Sequence, residues 1–193
     1  MLLTELRDTV GLVMLGNGAD PAAPTRSTFD AAIKTLQDAI SSEQVRKLSG
    51  QGYTELLIND AAYAAIAWSG DVGIIQLEKA ELEFIVPDEG GMYATDNMLI
   101  PKGAKNKYTA ELWIDFYYQP EIAAIVEAYV QYICPVKGAA EEITKIDPAL
   151  ATNPLIFPDE ATKSRLKVLG DVSAEDQTYF DEQFSAVVEG VGA

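Results

Sequence analysis

Histidine is missing from this sequence of 193 residues, cysteine occurs once, and acidic residues outnumber basic ones by more than two to one. The first absence removes the commonest zinc ligand, the usual general base and any Ser-His-Asp or Cys-His relay. An enzyme built from this chain would have to work with carboxylates, lysine or tyrosine alone. The lone Cys134 excludes an internal disulfide. A net charge of −16 is the opposite of a phosphate-neutralising basic patch, so direct nucleic-acid binding is not expected. Long apolar runs are also lacking: Ala61 to Trp68 is too short to span a bilayer, and Ile122 to Cys134 carries Glu127. Met1-Leu2-Leu3-Thr4-Glu5 has no basic opening of an export signal, so the signal of an exported parent is expected upstream.

What is present describes a packed chain. Apolar residues make up 48% of it and aromatics 9%, a composition of folded rather than disordered proteins. The length allows one large domain or two small ones. A chain of this size buries roughly 70% of the surface its unfolded form exposes, so no disulfide or metal staple is needed. The acidic surplus raises the encounter rate of cations, and equally it keeps a protein soluble. Composition leaves both readings open.

Along the chain, helix signals alternate with short apolar runs. Thr4 is expected to cap a helix from about Glu5 to Leu15, closed by Gly16-Asn17-Gly18. Ser27, with Asp30 three residues on, is expected to cap a second in which Phe29, Ala32, Ile33, Leu36 and Ile40 share a face. A short helix follows Thr54. Strands are expected at Ala61 to Trp68, Glu83 to Val86 and Met92 to Ile100, with a helix from Asp71 to Lys79 between the first two. That alternation argues for an α/β sheet. Helices capped by Asn106 and begun by Pro120 come next, then a loop-rich stretch, then two closing helices, Asp159 to Val168 and one after Ser173.

Three clusters could carry chemistry. Glu5 and Asp8 lie one turn apart on the opening helix and could grip an ammonium group. The same pair is what a helix start uses to complement its dipole. Trp68-Ser69-Gly70-Asp71 follows a buried run, at the strand end where ligands of open α/β sheets sit, and Trp68 could present its face to a cation or simply line a core. In Tyr93-Ala94-Thr95-Asp96, the acid interrupts an apolar strand and is either partnered or turned outward.

Four stretches together resemble one family. Pro87-Asp88-Glu89-Gly90-Gly91-Met92-Tyr93-Ala94-Thr95-Asp96-Asn97-Met98-Leu99-Ile100-Pro101 and on through Asn106 is similar to the P-x-E-G-G…D-x-L-x-I-P-x-x-A-K-N signature of spermidine/putrescine-binding receptors. Ile66-Ala67-Trp68-Ser69-Gly70 resembles their W-N/S-G turn, Tyr132 to Pro135 their G-Y-x-x-P segment, and Asn153 to Pro158 their N-x-x-I/L-Y/F-P segment. The four occur in order and cover nearly the whole chain.

The resemblance implies an α/β, type II periplasmic-binding-protein-like fold whose two lobes close on a ligand by hinge motion. It implies a largely complete second lobe from residues 1–95 with 139–193, and a first lobe mostly absent, represented by a crossing strand and helices over 96–138. It further implies an extracytoplasmic solute receptor, periplasmic or at the cell surface, that binds a polyamine or other cationic solute and serves the permease subunits of an ABC importer. By motif, Glu5 and Asp8 match an acid pair of the second lobe, Trp68 a stacking ring, Asp96 the acid at the lobe crossing and Tyr132 the ring of the G-Y-x-x-P segment. Tyr93 joins them from the crossing signature, and Ser49 matches a loop serine. With the first lobe in place and closed over it, Asp96 is then expected to carry more binding energy than Glu5, whose helix end stays wetter.

The sequence departs from the pattern in three places. Ala94 stands where a Trp is usual, Gln131 where a Gly precedes the tyrosine, and a late polar contact expected near Leu169 has no counterpart. A thinner aromatic box leaves the particular cation open.

Catalysis is the rival function. Carboxylate pairs work without histidine, but two acids one turn apart are too local to flank a scissile bond, and no G-x-S-x-G is present. No catalytic residue, metal or cofactor is expected. A receptor lobe that binds nothing by itself, or that self-associates through an exposed lobe interface, is the other reading.

Overall fold

A computed structural model describes residues 1–191 of the chain. Its contacts divide the chain into two compact units. The first comprises Met1–Ala67, Leu82–Ala94 and the chain from Ala161 onward; the second comprises Trp68–Glu81 and Thr95–Glu160. Where the sequence reading set its C-terminal boundary at 138/139, these units part at 160/161.

In the first unit, helices α1 (Leu6–Gly16), α2 (Arg26–Ser41) and α9 (Ala174–Val191) enclose one core. The apolar face read from the α2 sequence is the buried one: Phe29, Ala32, Ile33 and Leu36 all point inward. Phe29 and Phe180 stack with ring centroids 3.9 Å apart, and both are almost wholly buried. Polar contacts fix the α2–α9 crossing at its rim. Arg26 reaches Glu175 at 2.8 Å and lies 4.9 Å from the Tyr179 ring centre, while the Tyr179 hydroxyl donates to Asp30 at 2.9 Å. The helix starts differ from expectation in two places. The N-cap of α1 is Glu5 rather than Thr4, and that of α2 is Thr25, whose side chain forms a reciprocal box with Thr28 in place of Ser27 with Asp30. Thr25 is the residue with extended backbone, and it is the backbone break that selects a cap. Ser173 does accept from the backbone N–H of Asp176 at 3.1 Å, as read.

The expected strands shrink. Among the described residues the only ladder joins β1 (Gly91–Met92) to β2 (Leu166–Lys167), in parallel. Residues 61–68 and 83–86 form no ladder, with bends at 61 and 63, and 93–100 runs on outside β1. Leu166–Lys167 ends what read as a closing helix, leaving only α8 (Glu160–Ser164). Met1–Leu3 nonetheless runs between two neighbours: Leu2 pairs with Leu48 in a parallel bridge, and Met1 exchanges bonds of 2.9 and 3.0 Å with Ala64 and Ile66. Strand formation needs an edge to pair with, and sequence propensity does not supply one. β1 lies against α1 so closely that a Cβ on Gly11 would stand 2.5 Å from Met92 Cε.

The second unit is helical, with α4 (Ser69–Ile75), α5 (Lys107–Tyr117), α6 (Pro120–Val130) and α7 (Ala139–Ile143). The short α3 (Tyr53–Ile58) belongs to the first. Pro120 opens α6 at the position where its missing N–H costs nothing. Ala123 and Ala124 let α6 pack tightly, Ala123 in a cluster with Val136 and Ala139. Glu127 lies in the same helix and is 2% exposed. Its Oε1 accepts from the Tyr117 hydroxyl at 3.2 Å and its Oε2 has no partner. Burial raises the pKa of this carboxyl, and the Tyr117 bond opposes that only in part. Tyr117 itself is pushed up to about 12, by burial first and then by Glu127.

A pH dependence follows. The folded chain holds the Glu127 proton more tightly than the unfolded one. The stability this contributes is full below the ordinary value of 4.5 and is lost as pH rises through the raised folded value. Glu127→Gln is expected to change stability little at pH 4 and to increase it at pH 8, read as urea midpoints at both pH values. An equal change at the two would show that Glu127 does not titrate there.

Candidate functional site

The sequence candidates fall into two groups, one in each unit. In the first unit, the extended backbone of Glu5 (φ −88°, ψ 115°) places its side chain at the head of α1. Its Oε1 accepts from Thr4 Oγ1 at 3.2 Å. The loop of Ser49 and Gly50 closes beside them: a Cβ on Gly50 would lie 3.8 Å from both Glu5 Oε1 and Thr4 Oγ1. Ser49 is held there by its N–H, which donates to Leu2 at 3.0 Å. Glu5 Oε2 is buried and accepts no hydrogen bond. A carboxylate oxygen withheld from water and left without a donor is costly unless something supplies one. Asp8 is half-buried in the first turn of α1. Tyr93 follows β1, where its N–H donates to Lys167 at 2.7 Å.

The second unit assembles the rest around the start of α4. Trp68 is the N-cap residue, half-buried, with extended backbone (φ −85°, ψ 140°). One turn on, Asp71 Oδ1 accepts from the Tyr132 hydroxyl at 2.9 Å. The Tyr132 ring reaches this position because residue 70 is glycine: a Cβ there would stand 2.3 Å from the ring. Burial raises the pKa of the Tyr132 phenol most, followed by its bond to Asp71 and the charges of Asp71 and Asp96. Asp96 is therefore within electrostatic reach of Tyr132, although it is itself exposed. In this chain Glu5 is the drier of the two acids and Asp96 the wetter, whereas the sequence expectation ranks them with the first lobe closed over Asp96.

Asp71 joins the candidates only through the structure. The signal was present, since it ends the Trp68-Ser69-Gly70-Asp71 turn, but its link to Tyr132 spans sixty-one residues. Gln131 also acquires a reason. It closes α6 with φ +56°, the left-handed conformation that glycine adopts most readily, and its side chain is buried against Gly73. Among the described residues no cluster of His, Cys, Asp and Glu could hold a metal, and no helix is long and apolar enough to cross a membrane.

Comparison with known proteins places the chain as a whole. The profile of the family described as bacterial extracellular solute-binding protein matches residues 6–158. The chain belongs to that family. Among curated relatives, the spermidine/putrescine-binding periplasmic protein of Salmonella typhimurium is 29% identical over 120 residues, which is 61% of this chain and 34% of the relative. The putrescine-binding periplasmic protein SpuD of Pseudomonas aeruginosa is 26% identical over 144 residues, 72% of this chain and 38% of the relative. A solved spermidine/putrescine ABC transporter protein from Listeria monocytogenes superposes with a TM-score of 0.85 at 27% identity, covering 96% of this chain and 56% of that one. The substrate-binding protein PotD of Streptococcus pneumoniae, at 21% identity and a TM-score of 0.79, supports the fold alone. The α/β binding-protein fold expected from the sequence is therefore present as a partial and mostly helical fragment. This chain spans about a third of the length of those curated relatives and about half of those solved structures.

Proposed function

We propose that the chain forms part of an extracytoplasmic receptor for polyamines such as spermidine or putrescine, working with the permease subunits of an ABC importer in the periplasm or at the cell surface. The observation that carries this reading is the head of α4, where Asp71, bonded to Tyr132, lies one turn from Trp68 with the Asp96 charge nearby. Acids beside an aromatic face are what an alkyl diammonium requires. An ammonium–carboxylate contact is worth about 1 kcal/mol in bulk water and several times more where water is partly excluded. A desolvated tryptophan face adds roughly 1–2 kcal/mol. Nothing in this chemistry makes or breaks a bond, and the curated relatives carry the names of binding proteins.

Calorimetry of the chain with spermidine and putrescine tests the proposal directly. Binding that weakens with added salt is expected, because part of the attraction is screened. Asp71→Asn, at the head of α4, should cost on the order of 2–4 kcal/mol of affinity and the exposed Asp96→Asn nearer 1 kcal/mol. Affinity indifferent to both changes would place the site elsewhere. The division of the candidates between two units, in a chain spanning about half of the solved structures, favours a second reading: a receptor part that binds nothing by itself. Silence with both amines would decide for it.

A further inference from the structure

Gln131 holds a conformation that its side chain makes costly. It ends α6 with φ +56° and ψ +24°, in the left-handed region where a Cβ crowds the backbone and glycine escapes the penalty. Such a residue persists where its surroundings over-determine it. Here they act on the side chain, since Gln131 is only 5% exposed. A Cβ on Gly73 of α4 would stand 2.6 Å from Gln131 Oε1, 3.1 Å from its Cβ and 3.4 Å from its Cδ. The glutamine therefore fills the gap that a missing Cβ leaves at Gly73.

Gly70 leaves a gap of the same kind one turn earlier, and the Tyr132 ring fills it. Residues three apart share a helix face, so the two gaps lie side by side along α4. Consecutive side chains of an extended chain point apart, yet Gln131 and Tyr132 both land on this face. The left-handed turn at Gln131 makes that possible. Its N–H still donates to Glu127 at 2.9 Å, so the turn starts from the last bond of α6. One residue further, the Tyr132 hydroxyl donates to Asp71 at 2.9 Å.

We propose that Gln131 is a positioning residue for the head of α4: wedged against Gly73, it seats the Tyr132 ring at Gly70 and keeps the Tyr132 hydroxyl on Asp71. It rests on the reading of this place as the polyamine site only for its consequence on binding. The wedge and the seating of Tyr132 stand apart from any ligand.

Fluorine NMR of the chain labelled with 3-fluorotyrosine tests it, the Tyr132 resonance being the one that Tyr132→Phe removes. In Gln131→Gly that resonance is expected to shift and its phenol to titrate at lower pH, as burial and the Asp71 bond release it. Glycine keeps the left-handed turn, so α6 still ends where it did. Gln131→Asn, which also tolerates the turn but is one methylene shorter, is expected to act in the same way. Gly73→Ala approaches from the other side. Gln131 Oε1 can swing away from the new methyl, but Gln131 Cβ is fixed to the backbone that carries Tyr132. It too should move the Tyr132 resonance, and should add nothing once Gln131→Gly has cleared the space. An unmoved resonance in Gln131→Gly and Gln131→Asn overturns the proposal. So do additive effects of the glycine and alanine changes, or a change spread over all nine tyrosine resonances, which would be general loosening. Calorimetry with spermidine separates this from the reading it rests on. If the parent chain binds no spermidine, that reading fails, and the fluorine signal still decides the wedge. If the parent binds, Gln131→Gly is expected to weaken affinity about tenfold, the scale of one lost hydrogen bond. Parental affinity with a displaced Tyr132 would overturn the positioning role.

Discussion

Replacing Phe180 by alanine is expected to destabilise the first unit by about 3–5 kcal/mol, the usual cost of removing a buried phenylalanine from a close-packed core. Phe180 is 1% exposed, stacks on the fully buried Phe29, and belongs to the one cluster joining α1, α2 and α9. Its ring is enclosed by its neighbours, so truncation leaves a cavity. The contacts at the rim of the α2–α9 crossing cannot compensate, because the ion pairs of Arg26 are exposed and such pairs contribute little. For a chain of this length the loss corresponds to roughly 10 °C in melting temperature. Far-UV circular dichroism is the readout of choice, since both tryptophans, Trp68 and Trp113, belong to the second unit. A shift under two or three degrees would mean that the helices repack around the gap.

On the proposed reading, Gly70→Val should remove polyamine binding while lowering the stability of the second unit by about 1–3 kcal/mol, the range for overpacking. The added Cβ alone would stand 2.3, 2.4 and 2.6 Å from three atoms of the Tyr132 ring, so the ring must leave. When it leaves, Asp71 loses the hydroxyl that donates to it. The helix itself is not the cause of the damage, because valine has a higher helix propensity than glycine. Tyr132→Phe separates the two effects: it keeps the ring and removes only the hydroxyl bond, at about 1 kcal/mol. Calorimetry with spermidine and the emission of Trp68, two residues away, report both changes. Should Gly70→Val bind spermidine like the parent chain, the head of α4 is not the site.

Some of this architecture was readable from residues alone. The α2 face followed from the recurrence of Phe29, Ala32, Ile33 and Leu36, because a helix presents every third or fourth side chain to the same neighbour. Pro120 fixed the start of α6 and Ser173 capped α9, since both act through backbone groups within one turn. The order of four signatures pointed to the family to which the chain belongs. Of the candidates Glu5, Asp8, Ser49, Trp68, Tyr93, Asp96 and Tyr132, the structure brings Tyr132 within reach of the Asp96 charge and within one helix start of Trp68.

Other features are properties of contacts between distant residues, which no local window contains. The uninterrupted apolar run at 61–68 and the short run at 83–86 read as strands, but a ladder requires a neighbouring edge, and among the described residues only Gly91–Met92 finds one, at Leu166–Lys167. Glu127 read as a charge interrupting an apolar run; its surroundings make it a buried carboxyl with a raised pKa, because desolvation depends on what packs around it. Glu5 and Asp96 carry the same charge in the sequence, and folding alone made one dry and the other wet. Sequence by itself determined the family, the helix faces and the residue types of the site. The tertiary structure decided which carboxylates lose water and which rings meet them, because burial and distance are set by the whole chain at once.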